Sequence, residues 1–331
     1  EPVQYWPEVT LHVVSGKGGT GKTTIAAALA IALAKGGHRT LLMEVEGRQG
    51  IAQLFDTPPL PYEERKIAVA AGGGEVWALA VDTEDALLDY LEMFYKLRRA
   101  GSALSKMGAV DFATTIAPGL RDVLLTGKAC EVVKRKEKKQ DNAYDFVILD
   151  APPTGRIARF LNVNSEVSGL AKVGPIKSHA DSVMSVIASE QTTIHLVTLL
   201  EEMPVQETLD GVTELEQAGL PVGGIFVNMT RPPQLNAQQR ALALTGQLPA
   251  AEIETQIARS GLAPSRQLVD VLLAEASDHA ERVDLEVNEL QRLTEQELPL
   301  FVLPLLPGGI DLGALYELAT IMTAHGIGEG Q

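Results

Sequence analysis

Along this chain, short and mostly apolar blocks bounded by Gly, Pro or charged residues alternate with longer segments whose apolar positions recur at helical spacing. The blocks at 9–15, 40–45, 75–81, 144–150, 193–199, 222–228 and 299–303 read as buried strands, and 22–34, 205–217 and 312–324 as helices covering them. That order predicts an α/β fold in which a doubly wound, mostly parallel sheet is covered on both faces. Two stretches, roughly 83–140 and 165–191, read as wholly helical and break the alternation. A third helical segment, 234–297, is strongly acidic and precedes the last strand. The expected organisation is one domain over 1–331 with an inserted helical subdomain.

The first strand and first helix are joined by Gly16-Lys17-Gly18-Gly19-Thr20-Gly21-Lys22-Thr23, a full match to GxxxxGK[ST], followed by Thr24. A strand, this loop and a helix in that order make a phosphate cradle. The glycines let backbone N–H groups close on phosphate oxygens, and the helix N-terminus adds partial positive charge. Lys22 is placed to reach the β- and γ-phosphates, and the Thr23 hydroxyl to ligate Mg²⁺. The chemistry expected is therefore that of a P-loop NTPase holding ATP and Mg²⁺. The apolar strand Phe146-Val-Ile-Leu-Asp150 ends in a carboxylate, an arrangement that holds a water of the Mg²⁺ shell. Pro153, Thr154, Gly155 and Arg156 follow it in a stretch suited to a switch loop that senses the γ-phosphate.

Taken with Asp150-Ala-Pro-Pro-Thr-Gly-Arg-Ile-Ala-Arg-Phe-Leu161, the P-loop run resembles the ArsA-like ATPase family, which includes arsenite-pump ATPases and the ATPase that delivers tail-anchored membrane proteins. Nearly the whole chain follows the family's order. Within the family it is most similar to short actinobacterial members that occur as two different neighbouring subunits, on the runs 45–55 and 195–201. The resemblance implies a deviant P-loop in which Lys17 crosses to the phosphates of a partner subunit, as a charge supplied in trans. It also implies that Asn228, ending the strand Gly224-Ile-Phe-Val-Asn228, and the loop near Pro304 hold adenine. Plainer readings of these two are a strand-end turn and a packing proline. The partner implied is a sister ATPase in a heterodimer, or a second copy in a homodimer, acting on an unknown cargo.

Departures from the family pattern qualify these expectations. The first switch normally carries an Asp that positions the attacking water; here Glu46, nine residues before Phe55, stands in its place, one methylene longer. Slow hydrolysis, or a scaffold subunit that binds ATP and regulates its partner, is the alternative function. Arg156 replaces a switch histidine and either stabilises phosphate charge or is a surface residue. With Cys130 alone, neither a thiolate arsenite site nor an interfacial CxxC zinc site can be built, and a redox iron–sulfur dimer is excluded.

Charge sharpens the picture. The 331 residues carry 43 Asp plus Glu and 28 Lys plus Arg, for a net −15, which argues against nucleic acid as a partner. The imbalance is local. Residues 178–331 hold 22 acids and 6 arginines with no lysine, whereas 96–139 hold 11 bases and 4 acids. The basic patch reads either as solvated helix faces or as a docking surface for something anionic, and 134–139 (KRKEKK) as a solvated helix end. The longest apolar run, 25–34, is too short to span a bilayer, no signal-peptide pattern is present, and one cysteine suits a reducing compartment. A cytoplasmic protein without stable membrane insertion is expected.

Overall fold

The structure is a computed structural model that describes residues 5–95, 118–163 and 175–328. The middle of the first expected helical stretch (96–117) and the start of the second (165–174) lie outside the described residues.

Eight strands form one sheet: β1 (Leu11–Gly16), β2 (Arg39–Glu44), β3 (Arg65–Val69), β4 (Glu75–Ala80), β5 (Phe146–Asp150), β6 (Thr192–Thr198), β7 (Val222–Thr230) and β8 (Leu300–Pro304). Their order is β3-β4-β2-β5-β1-β6-β7-β8. Every neighbouring pair is parallel except β3 with β4. The sequence reading missed β3. Its residues, Arg-Lys-Ile-Ala-Val, are half-buried at most, so no continuous apolar block marks them, and they pair antiparallel at the sheet edge, where charged side chains discourage further pairing. The other seven strands fall within two residues of the expected bounds.

Helix α1 (Lys22–Ala34) is buried along nearly its whole length, because it lies between the sheet and α11 (Leu312–Ala324). From Ile25 on, its all-Ala/Leu/Ile composition is what a helix without a solvent face requires. The short α2 (Gly50–Leu54) completes that layer. On the opposite face lie α3 (Thr83–Tyr95), α4 (Pro118–Glu137), α5 (Thr154–Leu161), α6 (Pro175–Ile187) and α7 (Glu202–Gln217). The acidic segment forms α8 (Ala237–Leu244), α9 (Ala250–Arg259) and the 29-residue α10 (Arg266–Thr294), which packs on α7 and α8.

The basic run at the end of α4 is not wholly solvated as expected. Arg135 is buried, and its guanidinium donates to Glu64 Oε1 at 2.7 Å and to both carboxylate oxygens of Glu131 at 2.9 and 3.0 Å. Glu64 in turn accepts from Tyr144 at 2.8 Å. A guanidinium can be buried in this way because its fixed fork of donors is matched by two carboxylates. Lys134 reaches the carbonyl and hydroxyl of Ser182, tying α4 to α6.

Candidate functional site

β1 sits between β5 and β6, so the chain leaves it in both directions, and the crevice beyond its C-terminal end is where an open α/β sheet binds ligands. Gly16 ends β1 within a strand-to-loop bend where a Cβ would collide with the carbonyl oxygen of Val197. Gly21 caps α1 in the left-handed region at φ 86°, and a Cβ there would lie 2.5 Å from the Asn228 amide nitrogen. Both positions admit only glycine. Between them Gly18 and Gly19 are exposed, while the Thr20 hydroxyl turns inward to donate to Lys17 O at 2.8 Å. The loop is thus closed on itself before any phosphate enters.

Lys22, buried, and the half-buried Thr23 and Thr24 open α1. The Thr23 hydroxyl donates to Asp150 Oδ2 at 2.7 Å, while Asp150 Oδ1 is buried and has no hydrogen-bond partner. Burial pushes the Asp150 carboxyl up to about 6; the Thr23 bond and Lys22 pull it down, and Glu44 and Glu46 push it up. A carboxylate with an unmatched buried oxygen, next to a hydroxyl and among like charges, is the environment a divalent cation relieves. These residues therefore fit a divalent cation such as Mg²⁺, which Thr23 and Asp150 would hold.

Glu44 is a site residue that sequence reasoning passed over. It faces Asp150 in register across β2 and β5, is buried, and its oxygens lie 3.4 Å from the backbone N–H groups of Gly50 and Ile51. The signal was legible as an acid-x-acid ending of an apolar strand. Glu46 lies beyond it, 22% exposed, with one oxygen 3.7 Å from Arg48 Nη2.

Past Asp150, the loop is tied down by Ser15 Oγ donating to Pro152 O at 2.6 Å. Of the four expected switch-loop residues only Pro153 lies outside regular structure; Thr154, Gly155 and Arg156 form the first turn of α5. Arg156 points outward, its guanidinium 3.6 Å from Asp122. Thr154 is buried and donates to Glu207 Oε1 at 2.7 Å. The other Glu207 oxygen is 3.3 Å from Lys17 Nζ. Glu207, on α7, thus links the P-loop to the segment after Asp150. No local pattern in the sequence singles it out, because it is one glutamate among several on a solvated helix.

Asn228 is buried and donates from its amide to Thr20 O at 2.9 Å, bracing the P-loop. Pro304 ends β8, half-buried, opposite Thr230 of β7. The structure brings Lys22, Thr23, Asp150, Glu44 and Glu46 to one end of the sheet, with Asn228 beside the loop; Arg156 stands at its margin.

Residues 9–189 match the family described as anion-transporting ATPase. The chain is 52% identical over 326 residues to ATPase BagA of Mycobacterium tuberculosis, covering 97% of this chain and 96% of the relative. It is 27% identical over 249 residues to ATPase GET3 of Kluyveromyces lactis, covering 65% of this chain and 70% of that one. A phosphate-cradling loop at the switch point of a parallel sheet and these similarities agree: the chain is an ATPase and belongs to the anion-transporting ATPase family.

Proposed function

We propose that this ATPase is a Mg²⁺-dependent switch that works as a dimer, closing on ATP and opening after hydrolysis to drive the handling of a cargo. The observation that carries the reading is the Thr23–Asp150 pair with its unmatched carboxylate oxygen at the head of α1. In this reading Gly16, Gly18, Gly19, Thr20, Gly21, Lys22, Thr23 and Thr24 hold the polyphosphate; Thr23, and Asp150 through a water, would hold Mg²⁺, which would supply charge neutralisation there. Glu46 orients the water that attacks the γ-phosphate in line, and Lys22 carries charge that develops on the transferred group. Pro153 to Arg156, the N-cap and first turn of α5, sense the state of that phosphate. Asn228 and Pro304 flank the adenine, Asn228 with its amide already engaged on the P-loop. The chain works as one P-loop domain whose helical inserts carry the cargo-facing surface.

Lys17 supports the dimer. It is one-third exposed and is held by Glu207 rather than turned toward the loop's interior, so it is available to a second subunit. A homologous sister ATPase is the favoured partner, a second copy the other. No described helix is long and apolar enough to cross a membrane.

The test is ATP turnover by the chain with and without its sister, with Lys22→Ala as control. Loss of all ATP binding in Lys22→Ala and ATP-dependent dimer formation by sedimentation are expected. A wild-type chain that binds no ATP even when mixed with its sister would refute the reading. The loose Glu46–Arg48 contact favours a second reading, a scaffold subunit that binds ATP and activates its partner. Unchanged turnover of the assembled pair carrying Glu46→Ala would select it.

A further inference from the structure

Beside the candidate site, on the far side of Glu46, lies a separate cleft of about 150 Å³. Arg48, Arg121 and Arg156 line it together with Glu46 and Asp122, over a floor that includes Pro152 and Phe160. Three arginines from three different elements line it: the loop after β2, the first turn of α4 and the first turn of α5.

None of the three is committed to a close ion pair among the described residues. Arg48 lies 3.7 Å from Glu46 and Arg156 3.6 Å from Asp122, both beyond hydrogen-bond distance, and Arg121 forms no ion pair with a described residue. This contrasts with Arg135 on the same helix as Arg121, whose fork is filled by two carboxylates at 2.7 to 3.0 Å. Three cations against two carboxylates leave the cleft net positive in a chain whose overall charge is −15. The N-terminal turn of α5 adds its partial positive charge.

Size restricts the ligand. Room for roughly five waters at about 30 Å³ each accommodates a tetrahedral oxyanion, but falls short of the roughly 300 Å³ at which pockets for larger ligands begin. Planar guanidinium forks match oxyanion geometry, and the Glu46 carboxylate in the lining can accept a hydrogen bond from a protonated phosphate oxygen.

We propose that this cleft is an oxyanion site that receives the inorganic phosphate split from ATP before it leaves the protein. It rests on the ATP-hydrolysis reading of the neighbouring site, which supplies the anion. Arg121 and Arg156 are its principal donors, with Arg48 closing the solvent side. The site gives the departing phosphate a stop beyond Glu46, so that occupancy of the cleft tells α4 and α5 that hydrolysis is complete.

The experiment is titration of the full chain with inorganic phosphate by calorimetry, with Mg-ADP saturating the P-loop where it binds. Arg121→Gln/Arg156→Gln, two exposed changes, should weaken phosphate binding about tenfold or more, the scale of charge-assisted hydrogen bonds, while Arg121→Gln alone, outside the nucleotide machinery, should weaken it measurably and leave Mg-ADP affinity within a few-fold of wild type. Lys22→Ala should lose nucleotide yet still bind phosphate. Phosphate binding that survives the double arginine change and disappears in Lys22→Ala would place the anion on the P-loop and overturn the proposal. So would a wild-type chain that takes up no phosphate at tens of millimolar. If wild type binds phosphate through the arginines but no Mg-ATP, the cleft stands as an oxyanion site and its role as a product site falls with the hydrolysis reading.

Discussion

Replacing Asp150 by Asn tests the electrostatics of the candidate site without touching the fold. The carboxyl lies at about 6, against an ordinary 3.8, chiefly because burial disfavours its charged form and because Glu44 faces it in register. Two pKa units at about 1.36 kcal/mol each mean that the ionised, nucleotide-free site destabilises the native state by about 3 kcal/mol above pH 7. The sign follows from proton counting. Between pH 3.8 and 6 the native state holds the proton that the unfolded chain has lost, so this group's contribution to stability falls as pH rises through that window and is flat above it.

Asn cannot ionise and keeps an acceptor for Thr23, but it places an amide N–H₂ at the unmatched position, which costs about 1–2 kcal/mol. Asp150→Asn should therefore be about 1–2 kcal/mol more stable than wild type at pH 7.5, and hydrolyse no ATP. The cost of the amide is pH-independent, so the gap between variant and wild type should widen by about 1.4 kcal/mol from pH 5 to pH 7.5. Urea denaturation followed by circular dichroism, without nucleotide or divalent ions and on dilute samples because the isoelectric point is near 4.9, measures it. A gap that stays constant over that range, or closes, would refute the assignment. Glu44→Gln supplies an independent arm, since removing the facing carboxylate should move the window to lower pH.

Further expectations concern parts of the molecule that this variant leaves alone. Glu207→Gln removes the charge holding Lys17 while retaining a hydrogen-bond acceptor for Thr154; ATP affinity, read by fluorescent-nucleotide displacement, should rise up to about fivefold, the worth of one partly exposed ion pair. A weaker affinity would show that Glu207 positions Lys17 for the phosphates instead. His12 and His195, fully buried and 3.0 Å apart under the Trp6 ring, are held far below the usual histidine range by burial. The unfolded chain takes up their protons first, so stability is full above about pH 6.5 and should fall by about 2 kcal/mol per histidine by pH 5; Trp6 fluorescence during urea unfolding of a Trp77→Phe background measures it, and a loss unaltered in the double His→Phe variant would count against this pair. Arg135→Met strands two carboxylates and should cost about 3 kcal/mol, seen as a lowered urea midpoint. Cys130, buried and with its thiol pushed up to about 12, should resist a thiol reagent until the chain unfolds.

The central sheet was legible because β1, β5, β6 and most of β7 are buried on both faces and are therefore written as mainly apolar runs, interrupted by His12 in β1 and by threonines and His195 in β6. The P-loop was legible for a related reason: a backbone that bends at Gly16 and caps a helix in the left-handed region at Gly21 leaves few choices of residue. β3 lacked both marks, being an exposed edge strand paired antiparallel. The first turn of α5 was also concealed, because the two prolines before Thr154 announce a break but not that a helix begins on their far side. Partnerships set by tertiary packing alone, such as Glu207 with Lys17 and Arg135 with Glu64, leave no trace in local pattern.

Those long-range partnerships carry the argument about how the site can switch. Among the described residues, three side chains from three elements make polar contacts with the P-loop: Asn228 on β7 bracing Thr20, Asp150 on β5 accepting from Thr23, and Glu207 on α7 facing Lys17. Two of these contacts use groups that phosphate and Mg²⁺ would compete for, the Thr23 hydroxyl and the Lys17 ammonium, whereas the Asn228 bond to a backbone carbonyl has no such competitor. Nucleotide can thus exchange the first two while the third holds the loop's shape. Because Glu207 also accepts from Thr154 at the start of α5, releasing Lys17 frees a carboxylate that is already bonded to the segment following Asp150. A ligand shifts a conformation only by interacting differently with its two states, and in the proposed switch Lys17 would offer that difference: paired with Glu207 in one state, and with the phosphate oxygens of a partner subunit in the other.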